Sequence, residues 1–250
     1  MAADDNRERG QSATGPETQA TNIEVAPGTV VLFADVSCPW AHAAVYRWRA
    51  TRARLGLTGD LELDVRAFPL ELINEQSTPR RTVDAEIPVV GAMEPEAGWQ
   101  VWQGPSDDWP VTTLPALEAV YAAKRQGLEA SADLDRALRL ALFRDSRNIS
   151  MHHEIMEVTA SVSGLDADAL ADLLERGEAK SEIFDDLEVA KENRVRGSPH
   201  FFLPDGTDEH NPGVTLSWEG EHEKGFPVVS NDEVSIYDSL LERAARTGST

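Results

Sequence analysis

Val30-Val31-Leu32-Phe33-Ala34-Asp35-Val36-Ser37-Cys38-Pro39-Trp40-Ala41-His42 is the stretch on which the fold turns. Val30 to Asp35 is a near-continuous apolar run, the pattern of a central parallel strand covered on both faces. A short turn follows. Ala41, Ala44, Val45, Trp48 and Leu55 then recur at helical spacing, and Gly56 is placed to end the helix as a C-cap. Pro39 suits the first helical turn, where its missing N–H costs nothing. Cys38, the only cysteine of the chain, therefore sits at a helix N-terminus. Free N–H groups and the helix dipole favour a thiolate there, so the expected titration lies below the free-cysteine value of about 8.5.

Outward from this turn, Leu61 to Ala67 alternates strictly and predicts a strand with one wet face; strand, helix and strand make a right-handed βαβ unit. Pro69 to Val111 carries six prolines together with Trp99, Trp102 and Trp109, and reads as an irregular connection. The tryptophans either anchor that long loop on the core or form an aromatic wall over the Cys38 pocket. From Thr113 the chain turns helical. Leu117, Val120, Tyr121 and Leu128 mark one helix, Leu134, Leu138, Ala141 and Leu142 the next, and Ile155, Thr159 and Val162 a third, stopped by Gly164. Asp166 is the expected N-cap of a fourth, closed by Gly177. Ile183, Leu187 and Ala190 lead to Val195-Arg196-Gly197-Ser198-Pro199-His200-Phe201-Phe202, a Gly-x-Pro turn before an apolar strand. X-Pro is the bond with an appreciable cis population, so Pro199 is a candidate cis residue. Pro204 to Thr207 predicts a turn, with Val214 to Trp218 as the hairpin partner of His200 to Leu203. Ser230-Asn231-Asp232-Glu233 matches a capping box that would open the last helix.

The Cys-Pro-Trp turn and the Gly-Ser-Pro turn, separated by a long helical stretch, resemble the DsbA-like branch of the thioredoxin superfamily. The nearest likeness is to FrnE-like oxidoreductases that carry Cys-Pro-Trp-Cys. The resemblance spans roughly Val30 to Ala245 and implies an α/β thioredoxin-like fold with an all-helical insert between its two halves. It divides the chain into a disordered polar tail (1–26), a discontinuous thioredoxin-like domain (27–112 and 179–247, with the Pro/Trp-rich loop 69–112) and the insert (113–178). It also implies that Pro199 lies beside Cys38, where the Ser198 backbone would pair with an extended thiol ligand or peptide.

Where the family has its second, resolving cysteine, this sequence has Ala41. A dithiol–disulfide cycle within one chain is therefore excluded. Three readings remain. In the first, Cys38 is the catalytic thiol of an oxidoreductase, exchanging with a mixed disulfide that a second small-thiol molecule resolves. In the second, the pocket activates a bound thiol, as the similar kappa-class glutathione transferases and 2-hydroxychromene-2-carboxylate isomerases do without a cysteine pair. In the third, it is a redox-inactive binding or sensor module. Pro39, Trp40, Ser198, Pro199 and His200 are the candidate thiol-binding residues. Asp35, Ser37 and His42 are candidate supports: His42 and His200 could stabilise a thiolate or shuttle a proton, and Asp35 could hydrogen-bond the turn.

Composition narrows the partners. The 250 residues carry a formal charge of −21, which disfavours nucleic acid and anionic membrane surfaces. No apolar run reaches the roughly 20 residues of a membrane span. The polar N-terminus lacks the apolar segment of a secretory signal, and a lone cysteine suits a reducing compartment, so a cytoplasmic protein without a structural disulfide is expected. The Ala- and Arg-rich composition suits a high-GC bacterial genome. No nucleotide-binding glycine motif occurs, and His152-His153-Glu154 lacks metal-binding spacing, so neither a metal nor a tightly bound cofactor is expected. The expected partner is a small thiol such as glutathione or mycothiol, or a protein disulfide.

Overall fold

The computed structural model describes residues 23–192, 194–221 and 224–248. Strand β1 (Thr29–Ala34) leads through the Cys38 turn into helix α1 (Pro39–Arg54), and β2 (Glu62–Ala67) returns parallel to β1. Leu55 caps α1, and Gly56 follows with φ +72°, a left-handed turn that glycine adopts without strain. Helices α2 (Leu70–Ile73), α3 (Arg80–Met93), α4 (Leu114–Ala123), α5 (Leu128–Phe143), α6 (His152–Ser161), α7 (Ala167–Arg176) and α8 (Lys180–Lys191) follow. Then come β3 (His200–Phe202), β4 (Asp208–His210), β5 (Val214–Glu219), β6 (Phe226–Asp232) and α9 (Ile236–Gly248).

The main sheet has the order β2-β1-β3-β4, so β1 is interior, parallel to β2 and antiparallel to β3. Strand alternation divides β1 between two cores. Val30, Leu32 and Ala34 join the large core with α1 and the helices α3 to α5, whereas Val31 and Phe33 pack with Phe202, Ala190 and Val195 on the other face. Each face thus buries alternate residues of a single six-residue strand, which is why the sequence shows a continuous apolar run. Helix α5 packs against β2 and joins the insert to the sheet in one hydrophobic cluster.

The structure departs from the sequence reading in five places. The segment read as irregular contains α3, a 14-residue helix with Pro88 inside it. Val83, Ile87 and Val90 form its buried stripe, and burial of that stripe outweighs the one backbone hydrogen bond that Pro88 removes. Leu128 opens α5 rather than continuing α4. The partner of β3 is β4, directly across the Pro204–Thr207 turn, and not Val214–Trp218. Asn211 (φ +52°) and Gly213 (φ +74°) swing the chain away after β4, so β5 leaves the sheet and pairs with β6 in a separate two-stranded ribbon. The expected capping box is spent in that ribbon: Ser230, Asn231 and Asp232 lie in β6, the Asn231 amide donates to the Gly213 carbonyl at 2.9 Å, and α9 starts only at Ile236. Finally, Ile23 and Val25, assigned to the tail, pack against the smaller core; residues 1–22 of that tail lie outside the described residues. The expected helix ends at Asp166 and Gly177 hold: the Asp166 carboxylate accepts from the Ala169 N–H at 3.0 Å, and Gly177 is left-handed at φ +63°.

Candidate functional site

The turn between β1 and α1 is held by a buried carboxylate. One Asp35 oxygen accepts from the Ser37 amide at 2.7 Å and the Ser37 hydroxyl at 2.8 Å. The other accepts from the Leu70 amide at 2.9 Å and the Thr113 hydroxyl at 3.1 Å. Asp35 thus ties the cysteine turn to the starts of α2 and α4. Burial pushes its carboxyl pKa up, and the hydrogen bonds from Ser37 and Leu70 and the charge of Arg139 restrain that rise. Arg139, fully buried on α5, donates to the Asp35 carbonyl at 2.8 Å and pairs with Asp135 at 2.8 Å. The helical insert therefore reaches under the turn and fixes its backbone.

Cys38 is the N-cap residue of α1, with Pro39 at the first helical position. Its Sγ donates to the Ser198 carbonyl at 3.2 Å, and the Ser198–Pro199 peptide is cis. The Asp35 amide donates to the Ser198 hydroxyl at 2.9 Å. Ser198 therefore grips the cysteine turn with its side chain as well as its backbone, whereas the sequence reading gave that side chain no role. Pro199 abuts this contact without lining the cavity; its carbonyl accepts from the Asn211 amide at 2.9 Å.

The sulfur opens on a cavity of about 200 Å³. Ser37, Pro39, Trp40 and Ser198 form its near wall. Asn74, Thr78, Thr82 and Glu86 come from the α2–α3 region, and Leu216 and Trp218 from β5. The Ser37 and Thr78 hydroxyls are hydrogen-bonded at 3.1 Å, and the Trp40 indole N–H donates to Glu86 Oε1 at 2.8 Å. A larger hollow of about 340 Å³ lies among the insert helices, but it contains no thiol and is remote from this chemistry.

The pocket does not favour the expected thiolate. Burial pushes the Cys38 thiol up to about 12, with the Glu86 carboxylate adding to the rise. The Ser198 side chain, the Ala41 amide at the helix start and the charge of Arg139 act downward without offsetting it. At 5% exposure, desolvation of the anion outweighs the helix terminus, and Cys38 rests as a hydrogen-bond-donating thiol.

Both histidines assigned to the thiolate are turned elsewhere. His42 stacks on Phe143 with ring centroids 5.1 Å apart, meets Trp99 edge-on and places Nε2 3.1 Å from the Ala97 carbonyl. Burial and the nearby Arg139 lower its pKa to about 3, so it is neutral. His200 alternates with Phe201 along β3 and faces the smaller core. It accepts from the Arg196 amide at 3.1 Å through Nδ1, and its Nε2 lies 2.9 Å from Asp208. Burial lowers its pKa to about 4, although the Asp208 contacts act upward. Neither lines the cavity. The tryptophans of the long connection form no wall over Cys38 either. Trp102 is buried in the large core, Trp99 and Trp109 pack against it, and Trp109 donates to the Thr78 carbonyl at 3.0 Å. The indoles at the cavity are Trp40 and Trp218.

Sequence reasoning missed Glu86, Arg139 and Trp218. Glu86 flanks the Val83, Ile87, Val90 stripe, a signal hidden by treating Pro88 as a helix breaker. Asp135 and Arg139 stand at i, i+4 between Leu134, Leu138 and Leu142, which places an ion pair on a buried helical face. Nothing local places Trp218 beside Cys38.

The DSBA-like thioredoxin domain family model matches residues 29–219. No curated protein matches the chain. Among solved structures, a probable DsbA oxidoreductase from Streptomyces coelicolor superposes with a TM-score of 0.63 at 18% identity, covering 86% of this chain and 89% of that one. The cytosolic disulfide reductase DsbM from Pseudomonas aeruginosa, in its structure with GSH, gives 0.59 at 15% identity, covering 87% and 99%. A 2-hydroxychromene-2-carboxylate isomerase gives 0.50 at 16%, covering 72% and 87%. At these identities the likeness is one of fold.

Proposed function

The chain belongs to the DSBA-like thioredoxin domain family, and from that premise we propose that it is a thiol–disulfide exchange protein working through Cys38 alone, with a low-molecular-weight thiol as its resolving partner. One observation carries this reading. The only thiol of the chain faces a cavity of about 200 Å³ and touches the Ser198 carbonyl, at the turn where an extended ligand would pair.

The chemistry balances without a second cysteine. Cys38 Sγ attacks one sulfur of a disulfide, a new S–S bond forms as the old one breaks, and the leaving sulfur takes the electron pair and the proton that Cys38 gives up. A free thiol then attacks the sulfur bound to Cys38, leaves as a new disulfide and returns the proton to Sγ. Ala41 offers nothing for internal release, so the second step is intermolecular. Because the resting thiol is protonated, exchange proceeds through its small thiolate fraction and is slowed as alkylation is. No tightly bound cofactor enters this scheme, and it suits a cytoplasm that supplies reduced small thiols. Among the described residues, no helix is long and apolar enough to cross a membrane.

The raised thiol pKa also favours a second reading, in which Cys38 stays protonated and donates to the sulfur of a bound thiol cofactor during transfer or isomerisation. Intact mass spectrometry separates the two. Treated with an oxidised small thiol, the protein should gain one adduct on Cys38 that persists until external thiol is added. In Ala41→Cys the adduct should resolve internally and leave a protein 2 Da lighter, since the two sulfurs would lie one helical turn apart. Absence of any adduct in the native protein, with ready adduct formation in the unfolded chain, would favour the donor reading.

A further inference from the structure

We propose that the hollow among α4, α6, α7 and α8 is a second ligand site that takes a small apolar molecule ending in a protonated amine, with the ammonium on Glu118. The hollow measures about 340 Å³, within the range of small-molecule pockets. Ile155 of α6, Leu174 of α7 and Ile183 of α8 supply apolar walls. Glu118 reaches it from α4, where it is the one charged residue of the helix, and is 7% exposed. Its Oε1 is closed off from solvent and has no hydrogen-bond partner among the described residues. Its Oε2 lies 3.8 Å from Lys180 Nζ, beyond hydrogen-bond length, and the Lys180 side chain is 64% exposed.

Burial pushes the Glu118 carboxyl pKa up, and Lys180 holds back only part of that rise. The carboxylate therefore keeps a desolvation cost that a closer cation relieves. A ligand ammonium in the hollow meets it with a charge-assisted hydrogen bond, and Lys180 swings out into solvent on its flexible stem. A neutral hydroxyl or amide brings the donor without the charge. A ligand carboxylate is drawn to Lys180 only at the exposed rim, where ion pairing is weak, and meets like charge further in. Phe184, half-exposed on α8, adds an aromatic ring to the lining, and such rings attract organic cations. The formal charge of −21 favours the approach of cations over anions. His152 of α6 completes the rim, and a pH above the ordinary histidine range keeps its charge from competing.

2-Phenylethylamine and 3-phenylpropionate form the test pair, since they share a ring and a short chain and differ in the charge of the head group. Each is titrated at pH 8 against the full chain, and binding is read by saturation-transfer NMR of the ligand. The amine should bind about tenfold or more tighter than the carboxylate. Glu118→Gln, close in shape, should weaken the amine by about tenfold. Lys180→Met removes the competing ammonium and should tighten the amine by about threefold. Because Lys180 is exposed, this second variant keeps the test decisive even if Glu118→Gln does not fold. Binding of neither compound, equal binding, or preference for the carboxylate would overturn the proposal. So would an amine affinity that is unchanged in Glu118→Gln, or unchanged or weaker in Lys180→Met. The Cys38 cavity has a carboxylate of its own, so the titration is repeated on Glu86→Gln: a loss there with none in Glu118→Gln would put the amine in the wrong cavity and reject the assignment. None of these readouts involves the chemistry of Cys38, so their failure leaves the exchange reading standing.

Discussion

Raising the pH is the perturbation that most directly probes the buried thiol. Cys38 is displaced from an ordinary value of 9.0 up to about 12. At pH 7 the unfolded chain would hold about one thiolate in a hundred and the native protein about one in a hundred thousand, so native alkylation by iodoacetamide should be slower by about a thousandfold. Limited access could also slow the reaction, but access alone leaves the midpoint unchanged; the decisive quantity is therefore the pH at half-maximal rate. The same displacement appears in stability. A folded-state pKa above the unfolded one contributes stability that is complete below pH 9 and is lost as pH rises through 12. Three pH units at 1.36 kcal/mol each amount to about 4 kcal/mol. Urea titrations of the native sequence and of Cys38→Ala, compared between pH 8 and 11, isolate this contribution, because the variant lacks the titrating group. Glu86→Gln should shift the alkylation midpoint downward, as the carboxylate is the second cause of the rise. A native midpoint at or below 9 would refute the claim that desolvation outweighs the helix terminus at this sulfur.

Arg139→Met should destabilise the protein by about 3–5 kcal/mol in urea unfolding, because it leaves Asp135 as a buried charge without its partner and removes the donor to the Asp35 carbonyl; a loss under about 1 kcal/mol would show that the pair does not support the turn. Asp186 is pushed up to about 7, chiefly by burial, while accepting from the Ala67 amide at 3.0 Å. Stability tied to this group is complete below the ordinary carboxylate value and is lost as pH rises through 7. Asp186→Asn, which keeps an acceptor without the charge, should therefore stabilise the protein by about 2–4 kcal/mol at pH 8, with the gain fading toward pH 4; a gain independent of pH would contradict this assignment.

The architecture was legible wherever one local pattern had one outcome. A continuous apolar strand ending in Ser37-Cys38-Pro39 specified both the interior β1 and the helix after it, because burial on two faces and proline at a helix start each have few alternatives. Asp166 and Gly177 marked their helix ends for equally local reasons. The two turns that form the site, around Cys38 and around Ser198, were identified from their residues, their meeting was expected from the family resemblance alone, and the absence of a resolving thiol at Ala41 was read directly.

Tertiary structure decided what depends on surroundings. The helix N-terminus at Cys38 is a local feature that favours a thiolate, but the desolvation that reverses it comes from α3, β5 and the Ser198 loop, all distant in sequence. His42 and His200 were plausible partners by proximity along the chain; an aromatic box and strand alternation point their rings away from the sulfur. Glu86 and Trp218 reach the cavity through a helix concealed by Pro88 and a ribbon that leaves the sheet after Asn211 and Gly213. The residue types at the reacting turn were thus set by the sequence, whereas the charge state of its thiol and the polarity of its pocket arise from packing between segments far apart along the chain.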